Sequence, residues 1–356
     1  MIAVLIDHAG GAPSGASLEV LTLARSLGDP VAVWVGDAPG PSALSLLAEY
    51  GAREVRAVEP GASRHLPVVA ASAVEAALSA APAVDWSLLL GVSFFPVKEV
   101  LARVAVTSGA GMVVDVSSVE VVDGHVETTQ AVFTATWTVR TRIATERAIV
   151  LLRPNSAHAR PSPEPGGATL ITVAESPVEP QERLVSREAV EPDGVPLAEA
   201  AVVVAGGRGT GGDFALVREL AELLGGAVGA TRDATDEGWI SHEHMVGQTG
   251  TTVTPALYIG CGISGAVHHR GGMQGSRTIV AINADDSAPI FDIADFGVVG
   301  TSSTFFRRRS PRSARGARGA SCSEPRGPRG LAEFSRPEQP SRNTAQGAQG
   351  QRRMPP

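Results

Sequence analysis

The sequence predicts an α/β protein with two domains, each built around a mainly parallel sheet. Short apolar segments that are typical of strands alternate with helix-like segments from the first residue, and this alternation begins again near residue 196. Such βαβ units place helices on both faces of a parallel sheet. The chain has 356 residues, of which 43% are hydrophobic, so it is long enough to form two cores.

The N-terminal domain is predicted to span residues 1–153. Its first strands are "MIAVLID" and "PVAVWVG", and the stretch between them, "SGASLEVLTLARSLG", repeats apolar residues at helical spacing. Further helices are predicted at "PSALSLLAEYG", "AVEAALSAA" and "FPVKEVLARVAVTSG", with the strands "REVRAVE" and "WSLLLGV" between them. From residue 111 to "RAIVLLRP" the sequence is rich in strand signals, so we expect further strands in the same domain.

Three regions follow this domain. Residues 154–195 form a proline-rich connection, which is predicted to include one or two crossing strands. Residues 196–300 form the second α/β domain, which opens with the strand "AAVVVAG" and the helix "DFALVRELAELLG". Residues 301–356 are dominated by Arg, Ser, Gly and Pro, and this composition predicts a disordered tail.

Composition and charge exclude several classes of protein. The net charge is −7 although the tail is rich in arginine, so the body is more acidic still and nucleic acid is not expected as its partner. No apolar run approaches the roughly 18 residues of a membrane-spanning helix, and the chain opens on a strand, so we expect a cytoplasmic protein without membrane insertion. Cys261 and Cys322 lie far apart, which predicts neither a disulfide framework nor a metal site.

A glycine-rich turn joins the first strand of the second domain to its first helix. Gly207, Gly209 and Gly212 fit the pattern G-x-G-x-x-G, in which glycines let the main chain approach a pyrophosphate. Glycines that only allow close packing are an equally open interpretation at this point. In a nicotinamide-binding unit the next strand ends in Asp or Glu, whereas this one ends in Thr231 and Arg232. Because Arg232 suits the 2′-phosphate of NADP, an NADP-dependent oxidoreductase is the first alternative function.

Two further turns in this domain indicate a larger ligand. The segment "MVGQTGTTV" includes residues 247–250, whose small side chains expose main-chain amides and one hydroxyl. The segment "LYIGCGISGAVHHRGGM" leads through Gly262, Ser264 and Gly265 to a predicted helix N-terminus with two histidines beside it. Together with the arginine at a strand end, the three turns predict an extended ligand with an anionic bridge and a ring system.

The order and spacing of these motifs resemble the FAD-binding domain of the electron transfer flavoprotein alpha subunit family. The resemblance is carried by "GGRG", "GATR", "VGQTG", "LYIGCGISGAVHH" and "VAINADDSAPIFDIADFGVVG". The first domain is similar too, through "DHAGGAPSGASLEVLTLARSLG", "FPVKEVLARVAVTSGAGMVVDVSSVE" and "VLLRP", so the likeness covers nearly all of residues 1–300. It implies an N-terminal nucleotide-binding-like domain that docks a beta subunit and a C-terminal Rossmann-like domain that binds FAD.

The resemblance also implies which residues contact FAD. It places Arg208 close to the flavin, and it places Thr231 and Arg232 against the flavin from a strand end. It further implies that the Thr249 hydroxyl hydrogen-bonds flavin N5 and that Asn283 lies on the adenosine side. The implied cofactor-binding residues are Arg208, Thr231, Arg232, Val246, Gly247, Gln248, Thr249, Ser264, Gly265, Ala266, Val267, His268, His269 and Asn283.

The implied function is that of an electron carrier rather than an enzyme. A reduced flavin gains negative charge at N1 and O2, which a guanidinium and an imidazole stabilise. His268 stands where the family more often has glutamine, so the sequence leaves open whether His268 or His269 faces the ring. The resemblance implies a heterodimer with a beta subunit. This heterodimer accepts electrons from flavin dehydrogenases, such as the acyl-CoA dehydrogenases of fatty acid β-oxidation, and passes them to a quinone oxidoreductase.

The C-terminal tail departs from the family pattern. After "GVVG" the family continues with an Asp-Leu-Phe-like stretch and a final helix, whereas this chain continues with "TSSTFFR". Codons for these residues, read one base earlier, can encode Asp-Leu-Phe-Asp-Val-Leu-Pro. We therefore interpret residues 301–356 as a frameshift product, which the DNA sequence around codon 300 tests. The alternative to a frameshift is a disordered RNA-binding tail. The alternative to the carrier function is a non-functional, frameshifted chain that has lost FAD.

Overall fold

The computed structural model describes residues 1–80, 85–133, 135–175, 178, 182–186 and 194–301. These residues form a nine-stranded sheet, a five-stranded sheet and a two-stranded hairpin. Both larger sheets are accompanied by helices, so the predicted fold class of two α/β units is confirmed. No helix within these ranges is both long and apolar enough to span a bilayer. Residues 302–356 of the predicted tail lie outside the described residues.

The first unit contains strands β1 to β11 and helices α1 to α4. The strands are β1 (Ile2–Ile6), β2 (His8–Ala9), β3 (Ala12–Pro13), β4 (Pro30–Val35), β5 (Glu54–Val58), β6 (Leu88–Val92), β7 (Gly111–Val122), β8 (His125–Val132), β9 (Trp137–Arg142), β10 (Ala148–Leu152) and β11 (Thr169–Val173). The helices are α1 (Gly15–Leu27), α2 (Pro41–Glu49), α3 (Pro67–Ser79) and α4 (Phe95–Ser108).

Strand β1 lies inside the first sheet, between β4 and β6. The strand order is β11-β5-β4-β1-β6-β10-β7-β8-β9. Pairing is parallel from β11 to β7 and antiparallel from β7 to β9. The chain crosses from one side of β1 to the other between β5 and β6, so the carboxyl ends of β1 and β6 form a switch point.

Local sequence explains where several of these elements begin. The Ser14 side chain caps α1 by accepting a hydrogen bond from the main-chain N–H of Ser17. Helix α3 begins at Pro67, earlier than the predicted segment at residues 73–81, because a proline in the first turn needs no N–H partner. Strands β6 and β10 are buried at every position, as expected of strands that are covered on both faces.

The predicted connection, residues 154–195, contains one of the expected strands. Strand β11 pairs in parallel with β5 and extends the first sheet. Residues 176–177, 179–181 and 187–193 of the connection lie outside the described residues. The proposed boundaries between the domains therefore stay predictions.

The second unit contains a parallel sheet of strands β12 to β16 in the order β13-β12-β14-β15-β16. The strands are β12 (Val202–Gly206), β13 (Ala227–Ala230), β14 (Leu257–Cys261), β15 (Ile279–Asn283) and β16 (Phe296–Val299). The helices are α5 (Ala215–Leu223), α6 (Arg232–Asp236) and α7 (Val267–Met273). Two apolar clusters pack on this sheet, one that includes Tyr258 and Ile290 and one that includes Phe214 and Ile259.

Hydrogen bonds join the two units just after β10. The main-chain N–H of Asn155 donates to Oε2 of Glu19 at 2.8 Å, and its side-chain amide donates to the carbonyl of Ala200 at 3.3 Å. The hydroxyl of Thr254 donates to the carbonyl of Pro154 at 2.8 Å. The turn after β10 thus contacts both units.

Candidate functional site

The second sheet has a switch point between β12 and β14. Strand β13 pairs with one side of β12 and β14 pairs with the other, so the turns after β12 and β14 border a crevice. Ligands of open parallel sheets bind at such a crevice, beyond the carboxyl ends of the strands. The turns that carry Arg208, Thr231 and Ser264 all leave the sheet at this edge.

Glycines bring the turns after β12 and β14 into main-chain contact. A Cβ atom on Gly209 would lie 2.6 Å from Cα of Gly262, and one on Gly207 would lie 2.6 Å from the Gly262 oxygen. The N–H groups of Gly207 and Gly209 donate to the carbonyls of Cys261 and Gly262, at 3.0 and 2.9 Å. These two amides are therefore bonded to protein rather than presented to a phosphate. The G-x-G-x-x-G pattern serves close packing here, the interpretation that the sequence had left open.

Two exposed arginines and one buried hydroxyl lie beside the crevice. Nε of Arg208 lies 2.9 Å from a carboxylate oxygen of Asp233. Nε of Arg232 lies 3.2 Å from one of Asp236, and both arginine side chains are about two-thirds exposed. Thr231, between β13 and α6, is buried, and its hydroxyl has no hydrogen-bond partner among the described residues. A buried hydroxyl without a partner costs free energy, which a ligand that bonds it recovers.

Residues 246–249 form a tight turn beside the end of β13. The N–H of Val246 donates to the carbonyl of Ala230 at 2.9 Å, which fixes the start of the turn to that strand. Gly250 closes the turn, because any side chain there would collide with the carbonyl of Met245. The glutamine and the threonine of this turn are exposed. Their amide and hydroxyl groups are therefore available to a ligand.

The turn after β14 leads into helix α7 at the same edge. Gly265 has a φ of +83°, and a Cβ atom there would lie 2.5 Å from the nitrogen of Ile290, so the position requires glycine. The exposed residues of this turn are Ser264, Ala266, Val267 and His268. The N–H of Gln248 donates to the carbonyl of His268 at 2.9 Å, and Oε1 of Gln248 lies 3.2 Å from Nδ1 of His268. The turn at residues 246–249 and the start of α7 therefore form one surface.

The two adjacent histidines have different environments. His268 is exposed, whereas His269 is only 7% exposed. Nε2 of His269 lies 2.7 Å from the hydroxyl of Tyr258, and its Nδ1 lies 3.0 Å from the carbonyl oxygen of Val246. Burial lowers the pKa of His269 to about 4, so its ring is neutral near pH 7. Both nitrogens of His269 are thus bonded to protein groups.

Asn283 lies at the end of β15, and both the nitrogen and the oxygen of its side-chain amide are hydrogen-bonded to main-chain groups. Its Nδ2 donates to the carbonyl of Ile263 at 2.8 Å, and its Oδ1 accepts the N–H of Asp285 at 3.0 Å. Asn283 therefore links the turn after β14 to the turn after β15. Its contact with the adenosine half of a cofactor stays a prediction.

The structure brings the predicted site residues together at one edge of the second sheet. The reasoning from sequence missed Tyr258, which holds His269, and it missed Asp233 and Asp236, which pair with the two arginines. A tyrosine inside an apolar strand was the available signal for the first, because a buried phenol needs a hydrogen-bond partner. The acidic partners had no comparable signal, since Asp and Glu are also common on the exposed face of any helix.

Comparisons with known proteins agree with this geometry. Residues 2–178 match the family model of the electron transfer flavoprotein domain, and residues 196–274 match that of the electron transfer flavoprotein FAD-binding domain. The chain is 41% identical over 304 residues to the electron transfer flavoprotein subunit alpha of Mycobacterium leprae (strain TN), which covers 83% of this chain and 93% of that protein. The chain belongs to the electron transfer flavoprotein alpha subunit family.

Other members of the family show the same extent of similarity. The subunit alpha of Mycobacterium tuberculosis (strain ATCC 25618 / H37Rv) is 40% identical over 303 residues, or 84% of this chain and 93% of that protein. The subunit alpha of Syntrophomonas wolfei is 33% identical over 300 residues, or 83% of this chain and 93% of that protein. The resemblance seen in the sequence is confirmed, and electron transport is the process of the family. The second domain of the family binds FAD. FAD therefore replaces NADP, the alternative cofactor that Arg232 had suggested.

The residues of the crevice fit FAD. The buried hydroxyl of Thr231 has no partner within the described residues and suits a hydrogen bond to a polar atom of a cofactor. Arg208 and Arg232 present two exposed guanidinium groups, which suit a pyrophosphate or the negative charge of a reduced flavin. Gln248 and Thr249 add an exposed amide and an exposed hydroxyl for the polar edge of a ring.

Proposed function

We propose that this chain is the alpha subunit of a heterodimeric electron transfer flavoprotein in the cytoplasm. Its FAD carries electrons from flavin dehydrogenases, such as acyl-CoA dehydrogenases, to a quinone oxidoreductase. One observation carries the proposal: three turns meet at the switch point of a parallel sheet with a buried hydroxyl that has no partner among the residues the structure describes, in a chain of this family. The protein is an electron carrier and performs no bond-making reaction of its own.

In this proposal the protein binds, orients and shields the cofactor, while FAD supplies the electron-transfer chemistry when it is bound. Arg208 and Arg232 would hold the flavin from one side, and their positive charge would favour its reduced, negatively charged form. The Thr249 hydroxyl would hold flavin N5 by donating a hydrogen bond. The remaining cofactor-binding residues of the proposal are Thr231, Val246, Gly247, Gln248, Ser264, Gly265, Ala266, Val267, His268, His269 and Asn283.

One edge of the first sheet, strand β9, is the proposed docking surface for the beta subunit. Strand β9 ends the sheet, and nearly all of its residues are exposed. Trp137 on this strand is 67% exposed, and Phe133, just before it, is 78% exposed. An exposed edge strand with large apolar side chains favours association with another chain. We therefore assign this edge, β9 with Phe133, to the subunit interface.

A visible absorption spectrum of the chain, co-purified with a beta subunit from the same source, tests the proposed function. We expect a flavin spectrum that bleaches on titration with dithionite and returns in air. A colourless complex that still contains both subunits would contradict FAD binding by this chain and favour the non-functional alternative. A complex that binds nicotinamide nucleotides and no flavin would instead favour the NADP-dependent oxidoreductase.

A pair of substitutions tests the docking surface separately. Trp137→Glu places a charge on the β9 edge, and we expect it to abolish co-purification with the beta subunit. Val106→Glu is the matched control, because Val106 is an apolar residue on α4 that is 83% exposed. Equal loss of the beta subunit in both variants, or in neither, would show that the edge is not the interface.

A further inference from the structure

Tyr258 carries a hydroxyl in the middle of an apolar cluster. Its side chain is fully buried, and the cluster around it includes Ile263, Met273 and Ile290. The hydroxyl lies 2.7 Å from Nε2 of His269, which is itself buried. A buried phenol requires such a partner, so this strand position and the start of α7 depend on each other.

The chemistry of the partners sets the direction of these hydrogen bonds. The carbonyl of Val246 can only accept, so Nδ1 of His269, 3.0 Å away, carries the ring hydrogen. Nε2 is then the acceptor, and the hydroxyl of Tyr258 donates to it. Burial lowers the pKa of His269 to about 4 and raises the pKa of Tyr258 well above its usual value. The same donors and acceptors therefore persist throughout the neutral pH range.

This chain of hydrogen bonds ends at the turn formed by residues 246–249. The N–H of Val246 is bonded to the end of β13, and the N–H of Gln248 is bonded to the carbonyl of His268. The carbonyl of Val246 is held by His269. Val246, which leads into the turn, is thus fixed through its N–H by the sheet and through its carbonyl oxygen by the Tyr258–His269 pair.

We propose that Tyr258 is a positioning residue for the cofactor, which acts through His269 on the turn at residues 246–249. This inference rests on the proposed function, in which that turn wraps the flavin ring. By donating to Nε2, the tyrosine satisfies the buried acceptor nitrogen of the histidine and holds the imidazole in the orientation that places Nδ1–H on the carbonyl of Val246. Without that donor, Nε2 is a buried acceptor with no bond from Tyr258, and the ring is free to turn away from the carbonyl of Val246.

The substitution Tyr258→Phe tests the inference in the full chain, co-purified with its beta subunit. Phenylalanine keeps the ring and removes only the donor to His269. The chain has two tyrosines, and the other is Tyr50 in the first unit, so Tyr50→Phe is the matched control. We expect Tyr258→Phe to weaken FAD binding about tenfold and to shift the midpoint potential of the bound flavin, with Tyr50→Phe unchanged.

A second readout does not need the cofactor. Nitrogen-15 NMR of the histidine side chains distinguishes the two neutral tautomers, and amide hydrogen exchange at Gln248 reports the opening of the turn. In the parent protein we expect the hydrogen of His269 on Nδ1 and a protected Gln248 amide. In Tyr258→Phe we expect the hydrogen to stay on Nδ1, because the carbonyl of Val246 still accepts it, while the Nε2 resonance shifts and the Gln248 amide exchanges faster. A residue that only fills space would leave the exchange of Gln248 unchanged.

The outcomes separate the inference from the proposed function. A parent protein without FAD would contradict the proposed function, while the NMR and exchange data would still test the link from Tyr258 to the turn. In a parent protein that binds FAD, the inference is overturned if Tyr258→Phe speeds exchange at Gln248 and leaves FAD affinity and potential unchanged. It would also be overturned if the parent carries the ring hydrogen of His269 on Nε2.

A milder change covers the case in which Tyr258→Phe does not fold. In the Tyr50→Phe background, Tyr258 is the remaining tyrosine, so growth on 3-fluorotyrosine labels it alone. The fluorinated phenol is a stronger donor, and we expect a shifted Nε2 resonance of His269 together with a changed flavin potential. An unmoved Nε2 resonance would overturn the inference.

Discussion

The two larger sheets have the same kind of switch point between parallel strands, but different residues follow the strands at the two crevices. After β1 the chain forms the β2–β3 hairpin, and the ring of His8 stacks on that of Trp34 with 3.7 Å between the centroids. After β12 it forms a glycine turn with exposed arginines beside it. Strand order is therefore not sufficient to make a ligand site. The residues that follow the strands decide whether such an edge presents exposed polar groups to a cofactor.

The polar groups of the two crevices show the same difference. Near the first, the N–H of Asp7 donates to the hydroxyl of Ser17, which in turn donates to the carbonyl of Asp7. The side chain of Ser14 caps the helix that follows. At the second, the hydroxyl of Thr231 is left without a partner among the described residues. The groups of Asp7, Ser14 and Ser17 beside the first crevice are bonded to one another, whereas the Thr231 hydroxyl at the second is left for a ligand.

The largest expected effect comes from placing a side chain between the two glycine turns. Gly209→Ala places a Cβ atom 2.6 Å from Cα of Gly262, and a main-chain atom cannot move aside as a flexible side chain can. We expect the turns to separate, FAD affinity to fall about 100-fold or more, and the free energy of unfolding to fall by about 1–3 kcal/mol. Flavin retention on gel filtration and urea unfolding measure the two effects.

The first crevice supplies the control for this change. Gly15 begins helix α1, and a Cβ atom on this residue would have no neighbouring atom within 4 Å, so Gly15→Ala introduces no collision. We expect it to keep FAD and to be as stable as the parent or slightly more stable. If Gly209→Ala retains flavin as well as Gly15→Ala does, the close contact between the two turns is not needed for the site.

The next effect separates the adjacent histidines. His269→Gln breaks the hydrogen bonds to Tyr258 and Val246 inside the core, and we expect FAD affinity to fall about 30-fold, or about 2 kcal/mol. His268→Gln, by contrast, introduces the residue that the family more often has at an exposed position, and we expect affinity within about twofold of the parent. Fluorescence titration with FAD measures both. A larger loss in His268→Gln than in His269→Gln would show that FAD binding depends on His268 more than on His269.

Much of this architecture was predictable from sequence, for local reasons. The run "AIVLL" of β10 is apolar at every position because the strand is covered on both faces, so its burial could be predicted. The start of α3 at Pro67 could not be predicted, because the residues before the predicted segment also suit a loop. The glycine pattern located the crevice correctly, yet the use of the Gly207 and Gly209 amides depends on the distant residues Cys261 and Gly262. No local sequence pattern indicates a contact between residues so far apart in the chain.

A smaller effect is expected where the two units carry similar ion pairs. Arg232 and Asp236 form an i,i+4 pair on α6, and Arg103 and Glu99 form an i,i+4 pair on α4. Both are exposed, so each contributes only about 0.3–0.5 kcal/mol to stability. We expect Arg232→Gln to lower FAD affinity about tenfold and to lower the flavin midpoint potential, because a positive charge beside the ring is lost.

Arg103→Gln is the control for that loss of charge. Spectroelectrochemical titration of both variants should show the parent potential in Arg103→Gln and a lower one in Arg232→Gln. Equal potentials in the two variants would mean that the Arg232 guanidinium acts only in its surface pair with Asp236, as the arginine of the first unit does.

The smallest expected effect lies between the two units, at Glu19. Burial, together with a smaller effect of nearby Glu199, raises the pKa of this carboxyl from its usual 4.5 to about 7, in spite of the hydrogen bond from Asn155. The folded chain therefore holds more protons than the unfolded chain between pH 4.5 and 7. The contribution of Glu19 to stability is present below pH 4.5 and is lost as the pH rises to 7.

Glu19→Gln removes this titration and keeps an oxygen that can accept the N–H of Asn155. We expect the variant to be more stable than the parent by about 1 kcal/mol at pH 8, after allowance for solvent screening of a partly exposed group, with a smaller gap at pH 5. Urea unfolding at both pH values measures the gap, with Glu49→Gln at the exposed end of α2 as the control. A gap that is the same at both pH values would show that Glu19 is ionised in the folded chain throughout. The contact between the units would then have to accommodate a permanent negative charge, unlike the neutral His269 inside the second unit.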